Sequence, residues 1–413
     1  MRWMIPLAIL VQTAATSFAE DWPQWLGPNR DNSSSEKVVP WTAPPKVLWR
    51  QPVGEGNSSP VVANGKVFAH QKVARMDEEE VTAFDAQTGK ILWNHRYSRA
   101  AFKSLYGNGP RATPTVSGNH LYSFGITGVL SCFDVTNGKQ IWQMEAIKEF
   151  HAPHLVFGAS CSPLVDEDKV IVNVGAKGAS VVAFDKNNGQ VIWKSQDDGA
   201  SYASPIVFGS GKQRQVVFLT GKGLLSLSPE DGHEIWRFPL VDLLLESSTT
   251  PVKSGDILVA GSITYGSAGL RLQEKDDTPG VSQLWKNEDL TCYFSTPVFV
   301  GSNHLYMVTG TKPLTFKTGA TLHCIDAKTG KELWQKPKVG QYHASLLRIG
   351  DNKLLMLEDS GSLVLLDPNP KEYRELARAT ICGPTWSHPA LSNGRLYVRD
   401  EKELICFRLT ASE

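Results

Sequence analysis

The sequence predicts an all-β fold, an eight-bladed β-propeller of four-stranded blades closed by the N-terminal strand, and two repeated motifs carry this prediction. The first motif is Asp, two residues, Thr or Asn, Gly, Lys or Gln, two residues and Trp. It occupies residues 85–93, 134–142, 185–193 and 326–334, with a drifted copy at 228–236. The second motif is Ser or Thr followed by Pro and mostly apolar, β-branched residues. It begins at positions 59, 113, 162, 204, 250 and 296, with degenerate copies at 345 and 388.

Each repeat contains four short strand patterns, which are clearest in the first copy. Residues 60–64 and 66–70 flank an Asn-Gly hairpin signal, and residues 81–84 and 90–93 flank the turn that ends at Gly89. Glycine supplies the positive φ that such a turn needs. The repeat prolines are on average 47 residues apart. Four-stranded units that repeat at roughly 40 to 50 residues are typical of propeller blades.

The tryptophans predict how the ring closes. A Trp ends the fourth strand of a repeat at positions 49, 93, 142, 193, 236, 285 and 334. Trp49 has no first three strands before it, whereas the last unit has three strands and no Trp. We therefore expect the strand of Trp49 to complete the last blade. The repeat tryptophans are expected to pack beside the next blade's turn, not to form a cofactor cage.

The N-terminus predicts export. Arg2 precedes an apolar run at 3–11, and the small residues Ser17 and Ala19 fit cleavage after Ala19. We expect a signal peptide at 1–19, an N-terminal arm at 20–48 and a propeller at 49–413, in a periplasmic or secreted protein. No other segment approaches the length of a membrane span. The 42 basic and 42 acidic residues give zero net charge, which argues against a nucleic-acid partner.

The repeated Asp-x-x-Thr-Gly-Lys-x-x-Trp turn resembles the tryptophan-docking motif of the pyrroloquinoline-quinone (PQQ)-like propeller superfamily. This superfamily includes PQQ-dependent alcohol dehydrogenases and the outer-membrane assembly lipoprotein BamB. The resemblance covers nearly all of the chain after Trp49. Residues 21–30, Asp-Trp-Pro-Gln-Trp-Leu-Gly-Pro-Asn-Arg, also resemble the start of exported PQQ-like repeat proteins from planctomycete-type bacteria. The resemblance implies the fold, and fold does not fix chemistry.

The spacing of the cysteines differs from that of the PQQ-dependent dehydrogenases that the chain resembles. The dehydrogenases of this superfamily carry a disulfide between adjacent cysteines and a Ca²⁺ ion, but no two of the six cysteines here are adjacent. No cofactor is therefore expected, and PQQ with Ca²⁺ belongs only to the alternative of a quinoprotein oxidoreductase. Cys132, Cys324 and Cys406 are expected to be buried thiols, and pairing among Cys161, Cys292 and Cys382 stays open.

The residues three positions before each repeat proline, or its replacement Leu346, are expected to surround one mouth of the central channel. They are Asn57, Arg111, Ser160, Tyr202, Ser248, Phe294, His343 and Trp386. Aromatic rings with a cation, an amide and an imidazole suit recognition of a ligand or peptide. The alternative is that these side chains only plug a water-filled channel. No metal site is predicted, since Pro153 excludes a helix that would align His151 with His154.

The sequence contains no catalytic motif that can be recognised from the spacing of its residues. No nucleophile elbow, catalytic triad spacing or phosphate-binding loop occurs. The acidic runs at 77–80 and 274–277 are interpreted as solvated loops. The sequence therefore favours a binding or scaffold module that uses one face of the ring to bind an unknown protein or small-molecule partner. The alternative function is a PQQ-dependent oxidoreductase.

Overall fold

The computed structural model describes residues 20–275, 278–310 and 319–409, and in these ranges thirty-two strands form eight antiparallel four-stranded sheets. The first four blades contain β2 Val61–Ala63, β3 Lys66–Lys72, β4 Glu78–Asp85, β5 Ile91–Ser98; β6 Thr115–Ser117, β7 His120–Phe124, β8 Val129–Asp134, β9 Gln140–Glu145; β10 Leu164–Asp166, β11 Lys169–Ala176, β12 Ala179–Asp185, β13 Val191–Ser195; and β14 Ile206–Phe208, β15 Gln215–Thr220, β16 Gly223–Leu227, β17 Glu234–Phe238. The other four contain β18 Val252–Ser254, β19 Ile257–Ser262, β20 Gly266–Lys275, β21 Thr278–Asn287; β22 Val298–Val300, β23 His304–Thr309, β24 Thr321–Asp326, β25 Glu332–Pro337; β26 Ala344–Ile349, β27 Lys353–Glu358, β28 Ser362–Leu366, β29 Glu375–Thr380; and β30 Ala390–Ser392, β31 Arg395–Arg399, β32 Glu403–Arg408, β1 Lys46–Pro52.

The eight sheets confirm the predicted eight-bladed propeller. A short helix, α1 (Ala146–Glu149), and two 3-10 turns (Gly211–Gln213 and Gly350–Asn352) lie between strands. Each blade runs from a short inner strand to an outer strand. The tight turns after the first and third strands lie on one face, here called the turn face. The connections from an outer strand to the next inner strand lie on the opposite face, here called the cavity face. The predicted signal peptide lies outside the described residues.

The last blade contains the first strand, as the tryptophan positions predicted. Strand β1 pairs with β32 in antiparallel register, with Trp49 opposite Cys406 and Pro52 opposite Glu403. One bulge lies between Val47 and Trp49. The two ends of the described chain are thus joined in a single sheet, so the ring is closed by backbone pairing.

The repeat tryptophans dock on the next blade. Five of them lie against the turn glycine of the following blade, where an added Cβ would be only 2.5–2.8 Å from the indole. These pairs are Trp49 with Gly89, Trp93 with Gly138, Trp142 with Gly189, Trp193 with Gly232 and Trp285 with Gly330. Each of the five indole Nε1 atoms also donates to a carbonyl oxygen of that neighbouring turn. The motif therefore needs glycine for contact with the ring as well as for positive φ.

The predicted packing of each tryptophan beside the next blade's turn is wrong for Trp236. Trp236 donates its Nε1–H to Oε1 of Gln215, in its own blade, at 2.7 Å. Blade 5, which follows it, joins the ten-residue strands β20 and β21 and carries no Asp-x-x-Thr-Gly turn in its sequence. Trp236 therefore lacks the docking turn, although it shares a core cluster with Leu258 and Leu270 of that blade. Trp334 donates to the Asn369 carbonyl oxygen of the next blade at 2.7 Å, in a turn without glycine.

We expect Trp142→Ala to lower the free energy of unfolding by about 3–5 kcal/mol, because truncating a buried aromatic leaves a cavity. Trp142 is 8% exposed, and its indole donates to the Lys186 carbonyl oxygen at 3.0 Å. The measurement is urea unfolding followed by circular dichroism. Ile141→Ala is the control, since Ile141 lies beside it on β9 and is 41% exposed. Equal losses in the two variants would contradict the docking role.

The Ser or Thr of the second motif forms a belt of hydrogen bonds between inner strands. Its hydroxyl oxygen accepts from the backbone N–H of the equivalent residue in the preceding blade, at 2.9–3.2 Å. The donor and acceptor pairs are Ser59 to Thr113, Thr113 to Ser162, Ser162 to Ser204, Thr250 to Thr296 and His388 to Ser59. This belt explains why a hydroxyl side chain recurs before the repeat proline.

The N-terminal arm closes the channel at the turn face. Trp22 exchanges two backbone hydrogen bonds with Val62, and the Pro23 carbonyl accepts from Val116 N–H. Further along the arm, Asn32 and Ser34 bond to the backbone of Arg348, so the arm spans the ring from blades 1 and 2 to blade 7. Its contacts are to inner strands and their turns, which surround the axis. The arm is therefore an integral part of the ring.

The acidic run at 77–80 is a solvated loop only at its start, where Asp77 has 56% of its side chain exposed. Glu79 and Glu80 lie in β4, and the side chain of Glu79 is fully buried. Its carboxylate accepts from the Tyr97 hydroxyl at 2.6 Å and from the Ile126 N–H at 3.0 Å. Burial raises the pKa of Glu79, but hydrogen bonds from His70 and Tyr97 outweigh it and the net direction is down. A charged run can be buried when neighbouring strands supply its partners.

All six cysteines lie in the described part of the chain and are free thiols. Cys132, Cys324 and Cys406 are buried, as expected from their place in the repeat. Burial raises the pKa of Cys132 and of Cys406 to about 12, so these thiols are protonated at neutral pH. Cys161, Cys292 and Cys382 are likewise unpaired.

Candidate ligand-binding cavity

A cavity of about 630 Å³ lies on the channel axis and opens at the cavity face. The structure places all six candidate site residues in its lining, together with the two serines of the same repeat position. These residues are Asn57, Arg111, Ser160, Tyr202, Ser248, Phe294, His343 and Trp386. Each precedes an inner strand, and the inner strands surround the axis. The repeat position therefore identifies one shared site, while ligand binding by these residues stays a prediction.

Arg111 braces one wall of the cavity. Its Nε donates to the Phe157 carbonyl at 2.7 Å, and its Nη2 donates to the carbonyls of Tyr106 and Gly107 at 2.8 and 3.2 Å. The Phe157 ring packs at 5.4 Å from Tyr106 and 5.5 Å from Tyr202. Arg111 therefore fixes the two long loops that carry Tyr106 and Phe157. Burial lowers its pKa, although an arginine stays charged at neutral pH.

The opposite wall is a second aromatic cluster. Phe294 packs perpendicular to Trp386 with centroids 5.0 Å apart, and its neighbour Tyr293 lies 3.7 Å away by centroid. Tyr342, which is 39% exposed, stacks on Trp386 at 5.6 Å. The Tyr293 hydroxyl donates to Glu246 of the blade 4–5 connection. This cluster presents ring faces and edges to the cavity from blades 5 to 8.

His343 is a buried imidazole whose nitrogens lack partners among the described residues. It is 4% exposed, and neither Nδ1 nor Nε2 has a hydrogen bond. Its ring lies 4.8 Å from Trp386, nearly perpendicular to it. Asp359 orders this segment by accepting from the N–H groups of Gln341, Tyr342 and His343. Burial lowers the pKa of His343 to about 4, so the ring is neutral at pH 7. A buried polar group without a partner is costly unless something fills its hydrogen bonds.

The floor of the cavity comes from the arm. Trp25 lines the cavity, donates its Nε1–H to the Thr250 hydroxyl at 2.8 Å and packs 4.6 Å from the His388 ring. Burial lowers the pKa of His388 to about 3, so this ring is also neutral at pH 7. The channel is consequently a blind cavity in this region, with its floor on the turn-face side.

Sequence reasoning missed several lining residues. They are Trp25, Glu55, Leu105, Tyr106, Phe157, Glu246, Tyr293 and Glu401. Long connections between blades commonly carry function in propellers, and the loops of Tyr106 and Phe157 are such connections. Tyr293 is adjacent to a predicted residue. Trp25 had no repeat position to reveal it, because the arm lies outside the repeat.

The described residues contain no group of three His, Cys, Asp or Glu side chains placed to hold a metal ion. His151 and His154 are both exposed and do not line the cavity. In the same part of the chain, no helix is long and apolar enough to cross a membrane.

These features define the class of protein, which is an eight-bladed propeller of PQQ-like repeats with docked tryptophans and a blind axial cavity. The chain belongs to the family described as outer membrane protein assembly factor BamB, whose model matches residues 32–105, 77–334 and 226–412. BamB from Burkholderia pseudomallei is 27% identical over 236 residues, which are 54% of this chain and 55% of that protein. The chain therefore spans about half the length of this curated relative.

Two further relatives show the range of proteins built on this fold. A quinoprotein ethanol dehydrogenase from Pseudomonas aeruginosa is 28% identical over 152 residues, 32% of this chain and 23% of that protein. The crystal structure of BamB from Moraxella catarrhalis has a TM-score of 0.60, covering 90% of this chain and 99% of that chain at 15% identity. At that identity the structural likeness shows the fold alone.

The described cavity lining does not fit PQQ with Ca²⁺. PQQ is a polycarboxylate and needs cationic or metal partners, whereas the lining holds one guanidinium, Arg111, and three carboxylates, Glu55, Glu246 and Glu401. Ca²⁺ prefers six to eight oxygen ligands gathered in one place.

Proposed function

We propose that this protein is a binding module that captures a ligand, or a side chain of a protein partner, in the axial cavity. The unpartnered imidazole of His343 carries the proposal. It is buried in the wall of a cavity large enough for a small molecule, and filling its hydrogen bonds would recover free energy.

The rim of the cavity supports a docking role. Leu105, Val156 and Leu243 are 95%, 76% and 83% exposed. All three lie in connections between blades on the cavity face. Large apolar side chains gathered on one face of a protein commonly mark an interaction site. The rim and the cavity therefore favour the same face of the ring.

Export to the periplasm or the cell exterior belongs to the same proposal. The signal-like residues 1–19 and membership in the family described as an outer membrane protein assembly factor both favour it. Zero net charge argues against a nucleic-acid partner.

The test is a thermal-shift screen of small cations, anions, neutral compounds and short peptides against the wild type and the Arg111→Ala/Trp386→Ala double variant. We expect at least one compound to raise the wild-type melting temperature, since a ligand at a hundred times its Kd adds about 2.7 kcal/mol of stability. The double variant should lose that shift. Equal shifts in both proteins would place binding outside the cavity, and no shift with any compound would contradict the proposal.

The alternative, a PQQ-dependent oxidoreductase, is favoured by the partial likeness to the ethanol dehydrogenase. Reconstitution with PQQ and Ca²⁺, followed by dye-linked alcohol oxidation, tests it. Turnover would replace the binding proposal, and we expect none because the cavity lining is acidic.

A further inference from the structure

The charges that line the axial cavity are unequal. Among the described lining residues, Glu55, Glu246 and Glu401 are acidic and only Arg111 is basic. The Arg111 guanidinium already donates to three backbone carbonyl oxygens of its own wall. The lining histidine adds no positive charge at neutral pH, since burial keeps it unprotonated. The cavity therefore carries a net negative charge and has no free basic group dedicated to an anion.

The same cavity is lined by aromatic rings on both walls and on its floor. Tyr106, Phe157 and Tyr202 form one wall, Tyr293, Phe294 and Trp386 form the other, and Trp25 forms the floor. The face of an aromatic ring attracts a cation within about 6 Å, and tryptophan attracts it most strongly. Removal from water strengthens this attraction.

From the aromatic walls and the excess of carboxylates we infer that the cavity binds an organic ammonium group, an inference that rests on the binding role proposed above. The ammonium would lie between the two walls, with Glu246 as its nearest charged partner beside Tyr293. The shared chemistry has two sources, a small quaternary or primary amine and the side chain of a lysine on a protein partner. A neutral or anionic compound would gain nothing from the carboxylates.

The experiment compares choline with 3,3-dimethylbutan-1-ol, which has the same shape without the charge. Calorimetry and tryptophan fluorescence on the full chain report binding, since Trp25 and Trp386 line the cavity. We expect choline to bind about thirtyfold more tightly than the alcohol, which is the size of a desolvated cation–π contact. Equal binding of the two compounds would overturn the inference while leaving a binding cavity in place. If neither compound binds although the screen found a cavity ligand, the ammonium inference alone fails.

Two variants locate the effect. Glu246→Gln removes one carboxylate and is expected to reduce the preference for choline over the alcohol several-fold. Glu230→Gln is the matched control, because Glu230 is exposed in a turn-face turn and should leave the preference as it is in the wild type. If Glu246→Gln keeps the wild-type preference for choline over the alcohol, Glu246 is not a partner of the bound ammonium group.

A third comparison identifies the source of the ammonium group. A Gly-Lys-Gly peptide is set against Gly-norleucine-Gly, which lacks the charge. Tighter binding of the lysine peptide than of choline would point to a protein partner, and the reverse would point to a free amine. Either result supports recognition of an ammonium group. The inference would be refuted if the two peptides bound equally and choline also bound no more tightly than its neutral analogue.

Discussion

Deleting residues 44–50 should prevent the propeller from forming its native closed ring. These residues include most of β1, which supplies the outer strand of the last blade and pairs with β32 from Glu403 to Arg408. The deletion also removes Trp49, whose indole docks on Gly89 of the first blade. The loss of a docked tryptophan alone costs about 3–5 kcal/mol. The whole ring is expected to have only about 5–15 kcal/mol of stability, so the loss of the strand as well should exceed what it can absorb.

Far-ultraviolet circular dichroism and thermal melting measure this effect. We expect the deletion variant to melt broadly and far below the wild type, with partial recovery when a peptide of residues 44–52 is added in trans as a donor strand. Arg50→Ala is the control on the same strand, since Arg50 forms only an exposed ion pair with Glu403. Melting of the deletion variant at the wild-type temperature would show that closure does not depend on β1.

Closure has a second component near the axis, which the deletion leaves in place. Arg399 of β31 is 1% exposed and donates to the carbonyl oxygens of Ser58 and His70 in the first blade. Ser387 donates its hydroxyl to the Asn57 carbonyl across the same junction. The inner strands therefore retain contacts when β1 is absent, which is why the donor peptide should find a partly formed edge on β32.

The repeat made the blades and the shared site predictable. A Trp and a Gly at fixed positions define a contact between neighbouring blades, and five of the docking pairs follow that rule. Because the inner strands surround the axis, the residues three positions before the repeat prolines meet at the same cavity. Trp236 and Trp334 depart from the rule, because a contact between two blades depends on the sequence of both. The blade after Trp236 has no docking turn, and the turn that Trp334 contacts has no glycine.

Features outside the repeat could not be predicted from one sequence. In the sequence, Glu79 belongs to an acidic run of the kind that is typical of exposed loops. Its partners His70 and Tyr97 lie on the strands on either side of β4, so the residues next to Glu79 do not reveal them. The arm presents a similar difficulty. Its partners are mainly backbone groups of distant blades, and such groups leave no residue-specific signal.

The arm is expected to be held mainly by Arg30, whose guanidinium enters the ring between blades 3 and 4. It is 3% exposed and donates to the carbonyl oxygens of Ser162, Pro163 and Pro205 at 2.9–3.2 Å. Burial lowers the pKa of Arg30 to about 10, so it remains charged at neutral pH. Arg30→Met keeps much of the apolar stem and leaves these carbonyls without their charged donor. We expect it to lower the free energy of unfolding by about 3–5 kcal/mol, because hydrogen bonds to a charged group are worth about 1.5–3 kcal/mol each and do not add fully.

Urea unfolding of Arg30→Met against Arg50→Met separates a buried guanidinium from an exposed one. Arg50 has 52% of its side chain exposed, and its loss should cost less than about 1 kcal/mol. Release of the arm should also open the floor of the cavity, since Trp25 lies five residues before Arg30 and lines it. Acrylamide should then quench tryptophan fluorescence more strongly in Arg30→Met than in the wild type. Losses of equal size in the two variants, with unaltered quenching, would mean that the arm is held by its backbone contacts and that Arg30 adds nothing to the closure of the cavity.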